Sequence, residues 1–323
     1  MTRYIIRRLL FSIPVLFAIV LFTFSVVHAL PGGPFSNVGE KAMPEHMRLI
    51  MERRYGLDQP LYMQFWKYLV MLAHGDFGPM MRMRSQTVND IIGQTWPVSI
   101  QLGSLAVIVA FVIGIPAGIL AALKRNTWVD YTATFVAVLG VSINNIVLGP
   151  ILILIFGVWL KVLPIAFWGA EPPWILGFLP KPTLGFWAHA VLPVFTLGTA
   201  MSAGIARLTR ASLLEVMMSD YIRTARAKGL KERAIIVRHA LKNSLIPVAT
   251  VIGPMLAAVL TGTFVVEQIF ALHGMGRQFL ASIEQREYFL LSSLTLLYSV
   301  MLVLGNLMVD IMYAWLDPRI RYD

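Results

Sequence analysis

The chain of 323 residues contains no cysteine. Disulfide frameworks, thiol nucleophiles and Cys-based metal sites are therefore excluded. It also contains no Gly-Lys pair, so no G-x-x-x-x-G-K-[ST] phosphate loop can be written anywhere in it. Gly274-Met275-Gly276 follows no strand and is not a nucleotide fingerprint either. No His-Glu-x-x-His pattern, carboxylate pair or Ser/His/Asp set falls where a pocket is expected, so no catalytic, cofactor-binding or metal-ligating residue is assigned. Charge is scarce as well, at 14% of residues, and it is unevenly spread. The windows 9–39, 91–123, 131–160, 182–206, 243–266 and 288–309 hold no Asp, Glu, Lys or Arg. Each exceeds the ~20 residues a membrane-spanning helix needs. Proton-coupled carriers keep ionisable groups inside their spans. With none in the middle of any window, an ion relay is not expected, and neither is ATP hydrolysis by this chain. Energy for transport would have to come from a partner.

What is present is apolar surface. Hydrophobic residues make up 57% and the mean hydropathy is +0.71, which places the chain among all-α integral membrane proteins. Six spans are expected, at about 9–30, 97–123, 133–158, 186–206, 245–266 and 288–309. With the N-terminus inside, the cytoplasmic segments carry 16 Lys or Arg and 7 acids, the outer segments 11 and 10. That excess puts both termini in the cytoplasm. It also accounts for the net charge of +10 without nucleic acid. The first apolar run is longer than a signal-peptide core, and LPGGPF is a poor cleavage site, so an uncleaved first span is expected.

The chain divides into an N-tail with first span (1–30), an external helical segment (31–96), a five-helix membrane domain (97–310) and a C-tail (311–323). In the external segment Pro44 opens a helix to about Tyr55, with Met47, Ile50 and Met51 on one face and Gly56 closing it. Pro60 opens another to about His74, with Leu61, Phe65, Leu69 and Leu72 aligned and Gly75 closing it. Ser85 is placed as the cap of a third, with Val88, Ile91 and Ile92 inward. The segment is too short for a large core of its own, so a small cap packed on the spans is expected. His28 reads as a histidine at the headgroup level rather than a ligand. Gly114 and Gly118, one turn apart, read as a site of close helix approach. Span three carries Ser142, Asn144 and Asn145. Amides at that depth need partners or water, so Asn144 and Asn145 either line a translocation path or bond between helices. The aromatic loop 161–185 reads mainly as an interfacial belt. Span five contains Pro247 and Pro254, breakers that neighbours must compensate.

Between spans four and five lies a basic stretch, 207–242, with nine Lys or Arg and three acids. Asp220 is placed as the cap of a short helix from Tyr221 to Lys228, and Gly229 as its left-handed close. A second amphipathic helix follows, with Ile235, Ile236 and Leu241 on one side.

This stretch resembles the coupling loop of ABC importer permeases. The family pattern is Glu-Ala-Ala, three residues, Gly, nine residues, then Ile-x-Leu-Pro. Ala225, Gly229 and Leu241 match it; Arg223, Thr224, His239 and Lys242 differ. RTARAKGL, RHALKNSLIP, the external YGLDQPLYMQFWKYL and HGDFGPMM, the loop VVEQIFALHGMGRQFL and the ending VDIMYAWLDPRIRYD resemble the oligopeptide, dipeptide and nickel branch, most of all its B-type oligopeptide subunits. Where that family commonly has a proline in span three, this chain reads SINNIVLGP. The resemblance implies a type I ABC importer membrane fold in a bacterial cytoplasmic (inner) membrane. It implies a second homologous permease subunit, two ATPase subunits that bind ATP and Mg, and an external peptide-binding protein. It implies that Arg223, Thr224, Ala225, Arg226, Gly229 and Leu230 meet the ATPase: Ala225 for close approach, Gly229 for the turn, Leu230 as an apolar plug and Arg226 for rim charge. The other basic residues would face anionic lipid. Oligopeptides are the expected cargo, with dipeptides, nickel or glutathione as alternatives in the same architecture. Outside the family, the alternatives are a self-sufficient carrier or channel and a lipid-binding scaffold or sensor.

Overall fold

The protein is described here by a computed structural model covering residues 2–29, 33–35, 44–82, 85–170, 174–262 and 264–316. The tail from 317 onward lies outside the described residues. In chain order the helices are α1 (Thr2–Ala29), α2 (Glu45–Arg54), α3 (Leu61–Ala73), α4 (Val88–Leu123), α5 (Trp128–Ser142) and α6 (Asn145–Leu152). A π-wound stretch, Ile153–Trp159, prolongs α6. There follow α7 (Leu184–Met217), α8 (Asp220–Ala227), α9 (Glu232–Ala234), a second π-wound stretch (Ile235–Ala240), α10 (Leu241–Ser244), α11 (Ile246–Gly262), α12 (Phe264–Ile269), α13 (Met275–Gln285) and α14 (Tyr288–Leu316). Among the described residues four helices are long and apolar enough to cross a membrane, and up to six spans result when two bent helix pairs count as one each. That agrees with the expected all-α, six-span architecture.

The centre of the structure is the α4–α7 pair. A Cβ added to Gly114 would come within 2.6 Å of the Ser202 carbonyl oxygen, and one on Gly118 within 2.5 Å of that of Ala206. The two glycines therefore let two backbones touch, as their spacing suggested. Around this seam Leu102, Ala106, Phe186, Leu192, Phe270 and Leu272 are buried together. Ile205, Ala110 and Val248 continue the core toward α11.

Three sequence expectations change. The third helix of the external segment and span two are one helix, α4, and its cap is Thr87 rather than Ser85. The Thr87 hydroxyl accepts from the Asp90 amide at 3.2 Å, and the Asp90 carboxylate accepts from the Thr87 amide at 2.8 Å. This is a reciprocal capping box that Ser85 stands too far upstream to make. Span three is not straight: α5 and α6 meet at a bend of 103°. No proline is needed for the break. Ile143 is extended, and the Asn144 side chain accepts from the Ile146 amide at 3.0 Å, starting a new helix. Span four runs on past Ala206, because α7 stays helical to Met217.

The expected small cap is present. Met51 of α2 packs with Val27, Phe35, Met81 and Tyr288. Met47 and Ile50 stay exposed, so α2 docks by one residue rather than a stripe. Tyr68 is the most buried residue of α3, against Val20 and Phe24, while Leu61 is exposed. The Tyr68 hydroxyl lies 3.0 Å from Ser293 Oγ. His28 is held by Gln64 Oε1 at 3.2 Å, which joins α1 to α3. Glu287, just ahead of α14, accepts from the Met81 and Arg82 amides at 2.9 and 2.8 Å. Burial pushes its carboxyl above the usual carboxylate range, against those bonds. Gly56 and Gly75 both take the left-handed conformation expected of helix closers.

Candidate functional site

The basic stretch folds into a short helix carried on the far end of α7. Ser219, not Asp220, occupies the position before α8, and Asp220 is the first helical residue. An acid there still favours the helix through its dipole. Ile222 and Ala225, three residues apart, share one face. Both are buried with Leu213 of α7, Ala122 of α4, and Ile235 and Ala240 of the π-wound stretch. Ile235 and Ala240 are five residues apart, and the wider π turn keeps both on the core side. The expected amphipathic helix is therefore interrupted, with Ile235 inside, Ile236 and Leu241 partly covered and Val237 exposed.

This arrangement separates the six residues predicted for coupling. Ala225 is 7% exposed. Its small side chain fits α8 against its own chain, which corrects its placement in an outer contact. Arg226 reaches across to α9, with Nη2 donating to Glu232 Oε1 at 2.8 Å and Nε to Oε2 at 3.3 Å. It is a strut between two short helices before it is a rim charge. Arg223 and Thr224 face outward, Arg223 within 3.8 Å of Asp220 and Thr224 donating to the Asp220 carbonyl at 3.0 Å. Gly229 has φ +74° and nothing within 4 Å of where a Cβ would stand. Glycine is favoured there by backbone conformation, not by crowding. Leu230 is exposed. The outward surface is thus Arg223, Thr224, Lys228, Gly229 and Leu230, a cationic rim around one leucine.

Sequence reading missed the contact that ties this platform to span three. Asp130, 3% exposed, opens α5 and accepts from Arg210 of α7 twice, Nε at 2.7 Å and Nη2 at 2.8 Å. The Asn126 amide adds a bond at 3.1 Å. Eighty residues separate the pair, and nothing local marks it. A lone acid in the short link KRNTWVD was the available sign. A second missed group is Glu267 of α12, fully buried. It accepts from Ser99 Oγ at 2.6 Å and the Arg277 amide at 3.1 Å, and Ser99 Oγ in turn accepts from the Met275 amide at 2.9 Å. Ser99 and Glu267 thus join α4 to α12 and the start of α13.

The two path candidates lie at the break between α5 and α6. Asn144 is exposed and spends its oxygen on the cap. Asn145 is half-buried, and its Oδ1 is buried without a hydrogen-bond partner among the described residues. Among the described residues no group of three His, Cys, Asp or Glu is placed to hold a metal.

Comparison with known proteins agrees along the whole chain. The family "Binding-protein-dependent transport system inner membrane component" matches residues 114–322, and its N-terminal companion matches 1–102. The chain is 41% identical over 322 residues to the oligopeptide transport system permease protein OppB of Haemophilus influenzae, covering 100% of both. It is 42% identical over 321 residues to the dipeptide transport system permease protein DppB of Bacillus subtilis, covering 99% of this chain and 98% of that one. It is 38% identical over 322 residues to the glutathione transport system permease protein GsiC of Escherichia coli O1:K1, again covering 100% of both. Among solved structures, a chain of the MetNI methionine ABC transporter in inward-facing conformations superposes with a TM-score of 0.54 at 18% identity, over 68% of this chain and 93% of that one. This last likeness concerns the fold alone.

Proposed function

The chain belongs to the family of binding-protein-dependent transport system inner membrane components, and on that premise we propose that it is the permease subunit of an ATP-driven peptide importer. It is a multi-pass inner-membrane protein and a transporter component without a catalytic role of its own. The relatives named above carry oligopeptide, dipeptide and glutathione in their names, at 41%, 42% and 38% identity. A spread of four points does not choose among them. What the three cargoes share is the peptide bond, and a peptide, oligopeptides foremost, is the proposed substrate.

In this reading two partner ATPases bind ATP and Mg and grip the outward surface of α8. A second homologous permease subunit completes the path, and an external binding protein delivers the peptide. Both termini and α8 are cytoplasmic, in keeping with the distribution of Lys and Arg. Closure of the ATPases moves α8, which is fixed to α7 through Ile222 and Ala225. The glycine seam makes α4 follow α7, and the Asp130–Arg210 pair makes α5 follow both. The motion is delivered to the α5–α6 break, where Asn144 and Asn145 stand beside the path.

The observation that carries the proposal is a short helix whose inner face, Ile222 and Ala225, is locked to the spans and whose outer face, Arg223 and Thr224, is exposed. The test is Gly229→Asp in the reconstituted complex, reading ATP hydrolysis and peptide uptake together. Asp is among the residues that tolerate positive φ, and the space outside Gly229 is empty. Folding should therefore survive while a charge enters the docking face. Loss of stimulated hydrolysis and of uptake in an assembled complex is expected. Retention of both would remove α8 from the ATPase contact. Peptide uptake by the chain alone, without ATP, would replace the proposal with a self-sufficient carrier.

A further inference from the structure

A cavity of about 320 Å³ lies under the cap, between the ends of α1 and α14 and the α2–α3 connection. Its wall is divided by chemistry. One part is aromatic and aliphatic, with Phe24, Tyr288, Phe289 and Met71. The other holds three cations, Arg53, Arg54 and Lys67, and among the described residues no acid lines the cavity. All three cations are exposed at the mouth, and none makes an ion pair among the described residues. Gln59, also in the wall, has its Oε1 buried without a hydrogen-bond partner among the described residues. It is an acceptor left over for some donor.

We propose that this cavity binds the headgroup of an anionic phospholipid, of the phosphoglycerol type, from the leaflet on the cap side of the membrane. Three arguments favour lipid over a soluble anion. The cavity sits where two spans end, and the ends of spanning helices lie at headgroup depth. Its apolar wall, Phe24, Phe289 and Met71, suits the first acyl carbons of a lipid and offers nothing to a soluble anion. On the face of α3 turned away from the cavity, Tyr62 and Trp66 are exposed at 72% and 66%, side chains that suit the membrane–water boundary and put α3 at headgroup depth. A phosphate would meet the three cations, a glycerol hydroxyl would donate to Gln59, and the first acyl carbons would lie along Phe24 and Phe289. The lipid would then brace the cap against α1 and α14.

The experiment is native mass spectrometry of the full-length chain, purified in mild detergent with its co-purifying subunits and titrated with phosphatidylglycerol, phosphatidylcholine or inorganic phosphate. Wild type is expected to retain phosphatidylglycerol over phosphatidylcholine. The triple variant Arg53→Gln, Arg54→Gln, Lys67→Gln should bind phosphatidylglycerol about 100-fold more weakly, from three surface cations each contributing a modest attraction. Lys161→Gln with Lys181→Gln, on another external loop, should change nothing. Lys67→Glu alone sits on an exposed helix face and keeps the test open should the triple variant fail to assemble; about tenfold weakening is expected. Undiminished phosphatidylglycerol retention in these variants overturns the proposal. So does equal loss in the control variant, or displacement of the lipid by inorganic phosphate, which would make this a soluble-anion site.

Discussion

The α4–α7 pair and the α5–α6 pair are built from similar apolar residues and behave oppositely. In the first, two helices of 36 and 34 residues run unbroken past prolines at 97, 116 and 193, because glycine lets them lie backbone to backbone. In the second, a span of ordinary hydropathy without a proline at the turn is split by 103°. A proline inside a helix removes one hydrogen bond, which tight packing on a neighbour can compensate. An asparagine that caps offers the chain a second helix start, and a span with few neighbours takes it. Phe135, Val136 and Ile146 are exposed at 64%, 65% and 55%, so little packing holds α5 and α6 in line. Neighbours, more than helix-breaking residues, decide where these spans bend.

The comparison can be broken most severely at the seam. Gly118→Leu would drive a side chain into the Ala206 carbonyl and Thr209, and backbone cannot step aside as a rotamer can. Destabilisation beyond ~3 kcal/mol is expected, read as loss of folded protein in detergent. Gly204→Ala, on the same α7 with open space around it, should be neutral or slightly stabilising and shows whether glycine itself or its position matters. Next comes the link between the two pairs. Asp130→Asn leaves Arg210 with half a partner, and since Arg210 is partly exposed the cost should fall below the ~3–5 kcal/mol of a fully buried pair. The functional loss should be larger than the stability loss: ATP hydrolysis continues and uptake falls. Uptake unchanged at full stability would show that α5 does not depend on α7. The smallest effect is expected at Asn144→Ala, which deletes the cap of α6 at about 1 kcal/mol and should loosen the bend, seen as faster hydrogen exchange at the amides of Ile146 and Val147.

Much of this was legible in the residues. Long uncharged windows set the number of spans, Gly56, Gly75 and Gly229 marked turns with positive φ, and Gly114 and Gly118 marked the seam. Boundaries were not legible where a helix outlives its apolar face. Arg207 and Arg210 look like the start of a loop, yet α7 continues beneath them because Thr209, Ser212 and Leu213 still face inward. The break at Asn144 was hidden because the usual sign of one, proline, is absent there. Ala225 matched a family motif, and the motif said nothing of which way the side chain points. The Asp130–Arg210 and Ser99–Glu267 pairs join residues 80 and 168 apart, and no local pattern encodes such partners.

The persistence of α7 has a consequence for α8. Its apolar run ends at Ala206, and eleven further helical residues lead to Met217. At 1.5 Å per residue that is a stalk of about 16 Å, whereas the headgroup layer on one side of a bilayer is only about 5–7 Å deep. The stalk is longer than that layer is deep, and α8 folds back along it, setting Ile222 and Ala225 against Leu213 and against Ala122 at the end of α4. The length of α7 therefore fixes the bracket on which α8 is hung.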